Sequence, residues 1–163
     1  MNVRLKPISS DSQKEIIDIF NYYVENSYAA YVENKVPYEF FNKFQEMFKG
    51  YPAVVAEDDN GGVLGFGMLR AYNPMPTFSH VAEITTFIKH GLTGKGVGQI
   101  VFEYLEKEGK NRGITSILAS ISSLNDVSEK FHAKNGFIKC GQFKNVCKKK
   151  NTTFDVIYMQ KMI

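Results

Sequence analysis

The chain has 163 residues, of which 44% are hydrophobic and 23% are charged, a composition typical of one globular domain rather than of a disordered or fibrous chain. Its 20 Lys and Arg against 17 Asp and Glu give a net charge of +3, which is too small to indicate a nucleic-acid-binding surface. No apolar run approaches the ~18 residues of a membrane-spanning helix, so we expect neither a membrane nor a nucleic-acid partner.

The first part of the chain begins with a short predicted strand, Asn2–Lys6. A turn then precedes a helix, which we expect to be capped by Ser10 or Asp11 and to run to about Glu25, because its apolar residues recur at helical spacing. A second helix is predicted over Pro37–Lys49, where phenylalanine side chains form one apolar face and a glycine follows.

Two further predicted strands, Ala53–Glu57 and Val63–Ala71, flank an Asn60-Gly61 pair. Asn-Gly between apolar runs is a strong hairpin signal, because both residues accept the positive φ angles of a tight turn. Val81–Lys89 is a further predicted strand. This part of the chain therefore contributes three consecutive strands.

The remaining elements alternate between helix and strand. They are a helix over Gly94–Arg112, a strand over Ile114–Ser120, a helix over Asn125–Asn135, and strands over Phe137–Gln142 and Phe154–Met159. The complete order, βααβββαβαββ, predicts a mixed α/β fold.

Near the C-terminus the basic residues cluster at Lys144 and Lys148–Lys150. We interpret them as a solvated hairpin tip, with contact to an anion as the alternative. The two cysteines, Cys140 and Cys147, are too few for a disulfide framework. Because the N-terminus also lacks the apolar stretch of a secretory signal, we expect reduced thiols and a cytoplasmic protein.

The most informative segment is the glycine-rich turn Gly94–Gln99, which precedes a helix. Glycines let backbone N–H groups approach a ligand closely, and the start of a helix adds a partial positive charge, so the turn predicts a phosphate site. A dinucleotide fingerprint is excluded because Gln99 stands where the third glycine is required, and a P-loop is excluded because Val97 and Gly98 replace its Lys-Ser/Thr pair.

The turn that follows the strand Glu83–Ile88 resembles the acyl-CoA-binding motif of the GNAT N-acetyltransferases. Asn125–Ser128 and Phe131–Phe137 resemble the second signature of that superfamily, and Phe154–Gln160 is similar to its phosphinothricin and methionine sulfoximine acetyltransferase branch. The resemblance implies a single domain over residues 1–163, with a central, mostly antiparallel mixed sheet flanked by helices.

The resemblance also implies acetyl-CoA as co-substrate and no metal. The pantetheine arm would pair, like an added strand, with the backbone of Thr86, Phe87 and Ile88. Asn125 and Ser128 would contact the same arm. The diphosphate would be held by the residues of the turn, which are Gly94, Lys95, Gly96, Val97, Gly98 and Gln99.

Two residues are candidates for the chemistry of acyl transfer. An ammonium ion must lose a proton before it attacks a thioester, and Glu83, on the strand beside the expected thioester, is the candidate base, with a structural salt bridge as the alternative. His132 shares a helix face with Asn125 and Ser128 and is the candidate hydrogen-bond donor to the departing sulfur, with simple packing as the alternative.

The amine acceptor is expected between the loop Tyr28–Glu33 and the segment from Arg70 to His80. Aromatic residues in both segments suit a small acceptor with an apolar or sulfur-bearing body, and an arginine can clamp a carboxylate. The candidate acceptor-binding residues are Tyr31, Arg70, Tyr72, Asn73 and Phe78.

The sequence therefore predicts an N-acetyltransferase that moves an acetyl group directly from acetyl-CoA to the primary amine of a small molecule, such as an amino-acid analogue of the phosphinothricin or methionine sulfoximine type. Direct transfer is favoured because neither cysteine is placed to form an acyl-enzyme. The alternatives are acetylation of a peptide N-terminus or lysine, and a non-catalytic CoA-binding regulatory module. A homodimer is expected from similar enzymes.

Overall fold

The computed structural model describes residues Met1–Ile163 and contains seven strands and four α-helices. The strands are β1 (Arg4–Pro7), β2 (Ala53–Glu57), β3 (Val63–Ala71), β4 (Val81–Ile88), β5 (Ser116–Ser122), β6 (Ile138–Lys149) and β7 (Thr152–Met162). The helices are α1 (Gln13–Asn26), α2 (Phe41–Met47), α3 (Val97–Asn111) and α4 (Asp126–Lys134). The predicted order of elements is therefore confirmed.

All seven strands form one sheet in the order β1-β2-β3-β4-β5-β7-β6. Only β4 and β5 are parallel, and every other neighbouring pair is antiparallel. The prediction of a mostly antiparallel mixed sheet flanked by helices is confirmed. No helix is both long and apolar enough to cross a membrane.

Each face of the sheet carries its own hydrophobic core. On one face, α3 places Val101 and Leu105 against residues such as Ile84 of β4. On the other face, Phe20 of α1 and the phenylalanines of α2 pack against Phe66 of β3. These two layers hold the sheet between the helices α3 and α4 on one side and α1 and α2 on the other.

One feature of the sheet determines where a ligand can enter. The parallel strands β4 and β5 pair only over Val81–Glu83 and Ser116–Leu118. Beyond that point β4 continues to pair with β3 as far as Ile88, and β5 continues to pair with β7 as far as Ser122. The two strands therefore separate and leave a wedge-shaped gap in the middle of the sheet.

Several predicted helix starts were wrong. Ser10 and Asp11 do not cap α1, because they lie in a 3₁₀ turn over Ser10–Ser12, and α1 begins only at Gln13. The predicted helix over Pro37–Lys49 starts as a 3₁₀ turn at Tyr38–Phe40 and becomes α-helical only at α2. In both places the chain tightens before the regular helix, which the spacing of apolar residues does not reveal.

The start of α3 and the C-terminal hairpin also differ from the prediction. Gly94 and Gly96 have φ of +79° and +89°, so they form a turn before α3 rather than its first residues. Strand β6 extends past Gln142 to Lys149. The interpretation of the basic cluster as a solvated hairpin tip is wrong for Lys149, which is 1% exposed.

Candidate active site

The gap between β4 and β5 opens into a cleft with a volume of about 590 Å³. Both strands, the loop after α1, the turn before α3 and helix α4 contribute to its walls. Of the residues singled out from the sequence, those lining the cleft are Tyr31, Arg70, Glu83, Thr86, Phe87, Ile88, Gly94, Gly96, Gly98, Gln99, Asn125, Ser128 and His132.

Five other candidates are not among the lining residues: Lys95, Val97, Tyr72, Asn73 and Phe78. Val97 is fully buried in the core beneath α3, so only its backbone belongs to the turn. Tyr72 packs edge-on against Phe78, with ring centroids 5.9 Å apart. The Asn73 side chain accepts a hydrogen bond from the backbone N–H of Met75 and so shapes its own loop.

The free edge of β4 presents alternate residues to the gap. Successive backbone groups of a strand point to opposite neighbours. The carbonyl oxygen of Phe87 lies against Gly65 of β3, at 2.9 Å from the position that a Cβ would take there. By this alternation the backbone groups of Thr86 and Ile88 face the gap, whereas Phe87 contributes its side chain to the cleft and its backbone to the sheet.

Two polar groups at this edge differ in their bonding. The Tyr23 hydroxyl donates to the carbonyl oxygen of Ile88 at 2.5 Å, so this acceptor at the edge of β4 already has a partner. The side-chain oxygen of Thr86 is buried and has no hydrogen-bond partner. A buried hydroxyl without a partner is unfavourable, and a polar ligand in the cleft would supply one.

The glycine turn leaves backbone N–H groups unbonded. Gly96 caps α3 in the left-handed conformation and offers no side chain to accept from the first turn. The N–H groups of Val97, Gly98 and Gln99 therefore have no acceptor within the helix. Because a Cβ at Gly94 or Gly96 would meet nothing within 4 Å, glycine is required there by the positive φ angles rather than by lack of space.

Glu83 and Arg70 form an ion pair at the narrow end of the gap. They lie opposite each other on β4 and β3, and Arg70 Nη2 donates to Glu83 Oε1 at 2.8 Å. Glu83 is 8% exposed. Burial raises the pKa of its carboxyl, and the neighbouring guanidinium of Arg70 partly offsets that shift. The Nε of Arg70 is buried without a partner.

The opposite wall of the cleft is formed by α4 and its N-cap residue, which contribute Asn125, Ser128 and His132. Asn125 is the N-cap of the helix, and its side-chain oxygen accepts from the Ser128 N–H at 3.2 Å. His132 Nδ1 lies 2.7 Å from the Ser128 carbonyl oxygen. An imidazole nitrogen so close to a carbonyl must carry the hydrogen, so in the neutral ring Nε2 is an acceptor. Burial lowers the pKa of His132, which favours this neutral form.

The end of the cleft on the α1 and α2 side is apolar. Phe20, Phe40, Phe44 and Met47 line it together with Tyr31, and Phe20 packs edge-on against Phe87 of β4 with ring centroids 5.3 Å apart. Sequence reasoning missed these phenylalanines as site residues, because helical spacing makes them indistinguishable from ordinary core residues.

The comparisons with known proteins agree with this geometry. A family profile described as Acetyltransferase (GNAT) family matches residues 16–137. An L-methionine sulfoximine/L-methionine sulfone acetyltransferase from Pseudomonas aeruginosa is 30% identical over 150 residues, covering 89% of this chain and 86% of the relative.

Two solved structures share the whole fold. A GNAT superfamily phosphinothricin acetyltransferase from Sinorhizobium meliloti, solved in complex with AcCoA, has a TM-score of 0.93 at 24% identity and covers 100% of this chain and 89% of that chain. A ribosomal-protein-alanine N-acetyltransferase from Brucella melitensis has a TM-score of 0.91 at 26% identity, covering 98% of this chain and 99% of that chain.

The split sheet, the open glycine turn and the buried carboxylate together define an N-acetyltransferase that uses acetyl-CoA as donor. The chain belongs to the acetyltransferase (GNAT) family, and the resemblance to the phosphinothricin and methionine sulfoximine acetyltransferases is confirmed by the relatives found. No group of three or more His, Cys, Asp or Glu side chains is arranged to hold a metal ion.

Proposed function

We propose that the enzyme acetylates the primary amine of a small amino-acid analogue, of the methionine sulfoximine, methionine sulfone or phosphinothricin type, by direct transfer from acetyl-CoA. The observation that supports this most strongly is the Glu83–Arg70 pair, which joins a buried carboxylate to a guanidinium at the meeting point of the β4–β5 gap and an aromatic pocket. The names of the relatives support the same class of acceptor.

The residues of the cleft suit the donor. Thr86 offers unpaired backbone groups and a buried hydroxyl without a partner, which can bind the amides of a pantetheine arm. The free N–H groups at the start of α3 can bind a diphosphate. Acetyl-CoA, when bound, supplies the activated acetyl group as a thioester.

Glu83 acts as the base in this proposal. The incoming ammonium gives up a proton to the Glu83 carboxylate, either directly or through one water. Burial raises the pKa of Glu83 towards that of a better base, and the charge of Arg70 partly offsets that rise. A backbone N–H of β4 that faces the gap donates to the oxygen that becomes negative during attack. As the new C–N bond forms, the C–S bond of the thioester breaks and CoA leaves as a thiolate. The second proton of the attacking nitrogen passes to that thiolate, directly or through water.

Arg70 has donors left for the acceptor. Only Nη2 is bonded to Glu83, and Nε has no partner. The guanidinium can therefore hold Glu83 with one nitrogen and a carboxylate of the acceptor with another. Tyr31 and the neighbouring phenylalanines surround the body of the acceptor in this proposal.

His132 acts in its neutral form in this proposal. Its Nδ1 hydrogen is used by the Ser128 carbonyl oxygen, so only the charged ring could donate from Nε2 to the departing sulfur. Because burial lowers the pKa of His132, the charged ring is disfavoured at neutral pH. We therefore assign His132 to packing around the sulfur, beside Phe131 and Phe137, rather than to donation.

A panel of acceptors tests the proposal. Release of CoA from acetyl-CoA is measured with L-methionine sulfone, L-methionine sulfoximine, phosphinothricin, a polyamine and a short peptide. We expect turnover with the first three. Turnover confined to the peptide would indicate the alternative of peptide acetylation, and binding of acetyl-CoA without turnover would indicate a regulatory module.

Three further expectations stay predictions. Residues 1–163 form one catalytic domain, the protein is cytoplasmic, and two copies form a homodimer. Size-exclusion chromatography with light scattering measures the last of these directly.

A further inference from the structure

The loop after α1, residues 27–33, forms one wall of the acceptor end without any regular secondary structure. Ala29, Ala30, Tyr31 and Val32 all line the cleft. A loop of this kind holds one conformation only when its backbone polar groups find partners elsewhere. The Ala29 N–H finds its partner within the loop, in the Ser27 hydroxyl, but the carbonyl oxygens of Ser27 and Ala30 find theirs in the distant β6–β7 hairpin.

Lys149, the last residue of β6, carries the central contact. Its side chain is buried, and its Nζ donates to the carbonyl oxygens of Ser27 and Ala30, each at 2.8 Å. A buried lysine is costly unless its ammonium is hydrogen-bonded. Here the ammonium bridges two carbonyls three residues apart, at the C-terminal end of α1, where a positive charge is also favoured by the helix dipole.

The β6–β7 hairpin also makes other contacts with the loop, beside those of Lys149. The backbone N–H of Lys150 donates to the Glu33 carboxylate at 3.0 Å, and the Tyr28 hydroxyl donates to Thr152 at 3.2 Å. The first of these contacts is exposed and the second is partly buried, whereas the bond from the Lys149 ammonium to Ala30 is buried. The bond from Lys149 to Ala30 is therefore the contact best placed to fix the loop next to the cleft.

The placement of Tyr31 in the cleft depends on the position of Ala30, the residue before it. Its hydroxyl lies 3.1 Å from the hydroxyl of Ser120 on β5, on the far side of the gap. Tyr31 thereby closes the acceptor end beside Glu83, which lines the same cleft. A shift of Ala30 would move Tyr31 away from Ser120.

We propose that Lys149 is a positioning residue for the acceptor, because its buried ammonium holds the loop of residues 27–33 and so sets the place of Tyr31 in the cleft. The proposal rests on the proposed function for the identity of the acceptor, but the contacts between Lys149 and the loop do not. Lys149 itself is not among the residues that line the cleft.

The test compares Lys149→Met, which removes the ammonium but keeps the length of the side chain, with Lys148→Met as the matched control. Lys148 is the adjacent, exposed lysine of the same strand. With L-methionine sulfone as acceptor, we expect K149M to raise the KM for the acceptor about tenfold or more, because small displacements of positioning groups are costly, and to leave the KM for acetyl-CoA within about twofold. K148M should match the wild type in both constants.

Hydrogen exchange of the unliganded protein provides a second readout. In K149M, exchange should accelerate at the amides of residues 27–33 and stay unchanged in β3, β4 and β7. If K149M does not fold, Lys149→Gln replaces it. Its side chain is polar but uncharged and one atom shorter, so it should not reach both carbonyl oxygens, and the same expectations apply.

Two results would overturn the proposal. One is a folded variant with wild-type acceptor KM and wild-type exchange in the loop. The other is an equal rise of both KM values with faster exchange throughout the sheet, which would make Lys149 merely a stabilising residue. If the wild type shows no turnover with any acceptor, the proposed function fails, while the exchange experiment still decides whether Lys149 holds the loop.

Discussion

The substitution Glu83→Gln tests the chemistry most sharply. In the wild type, Arg70 Nη2 lies 2.8 Å from Glu83 Oε1. Glutamine has the same shape, and its side-chain oxygen can still accept from Arg70 Nη2, so the geometry is retained while the base is lost. General bases contribute roughly 10²–10⁴-fold to rates. Because water in the open cleft can also accept the proton of the ammonium group, we expect kcat to fall roughly a hundredfold, near the lower end of that range.

The pH dependence gives the same substitution a second signature. Glu83 must be ionised to accept a proton, and burial raises its pKa. In the wild type, kcat/KM should therefore fall as the pH drops through this raised pKa. In E83Q this acid limb should disappear, and only the deprotonation of the free amine should shape the profile. The KM for acetyl-CoA should stay within about twofold, because in the proposed function the diphosphate binds at the start of α3 and makes no contact with Glu83.

Glu57→Gln is the matched control. Glu57 is also a buried glutamate on a strand, and its carboxylate pairs with Lys6 at 2.5 Å, but it lies outside the cleft. Following the loss of thioester absorbance avoids reagents that would react with the exposed thiol of Cys140. An E83Q enzyme that keeps wild-type kcat and the wild-type acid limb would refute the assignment of Glu83 as base.

The other predictions address the donor site, the ion pair and the histidine. Gly96→Val should raise the KM for acetyl-CoA about tenfold, because valine rarely adopts a positive φ. Gly91→Val is the control, since Gly91 has a similar φ of +80° but lies away from the cleft, and it should leave this KM unchanged. Equal effects of the two substitutions would contradict the assignment of the turn as the diphosphate site. Arg70→Met should raise the pKa of Glu83 further and shift the acid limb of the pH profile to higher pH, since the guanidinium lowers that pKa. An acid limb at the wild-type pH would show that Arg70 does not affect the pKa of the base. His132→Phe should leave kcat within about threefold at neutral pH, because the neutral ring has no hydrogen to donate from Nε2; a hundredfold loss would restore His132 as the donor to sulfur.

The sequence predicted the order of elements and the open turn before α3, because both depend on local signals. Alternating glycines before an amphipathic helix dictate a turn with free N–H groups wherever the chain folds. Glu83 could also be predicted from the sequence, since strand alternation places it on the face of the strand where the thioester is expected. These features need no knowledge of distant contacts.

The parts that the sequence did not reveal depend on register and long-range packing. Arg70 and Glu83 are thirteen residues apart in sequence, and only the register of β3 against β4 makes them opposite neighbours. Strand alternation likewise directs the backbone of Phe87 away from the gap. Lys149 belongs to a run of lysines that is indistinguishable from a solvated surface, and its burial depends on a loop more than a hundred residues away.

The proposed function requires that the gap between β4 and β5 hold acetyl-CoA with its diphosphate on the turn before α3. A crystal structure of the protein with acetyl-CoA tests it most directly. We expect the pantetheine arm beside Thr86 and the diphosphate oxygens within hydrogen-bonding distance of the N–H groups of Gly94–Gln99, at about 2.7–3.2 Å. Acetyl-CoA bound at another surface, with this gap closed by protein side chains, would contradict the account.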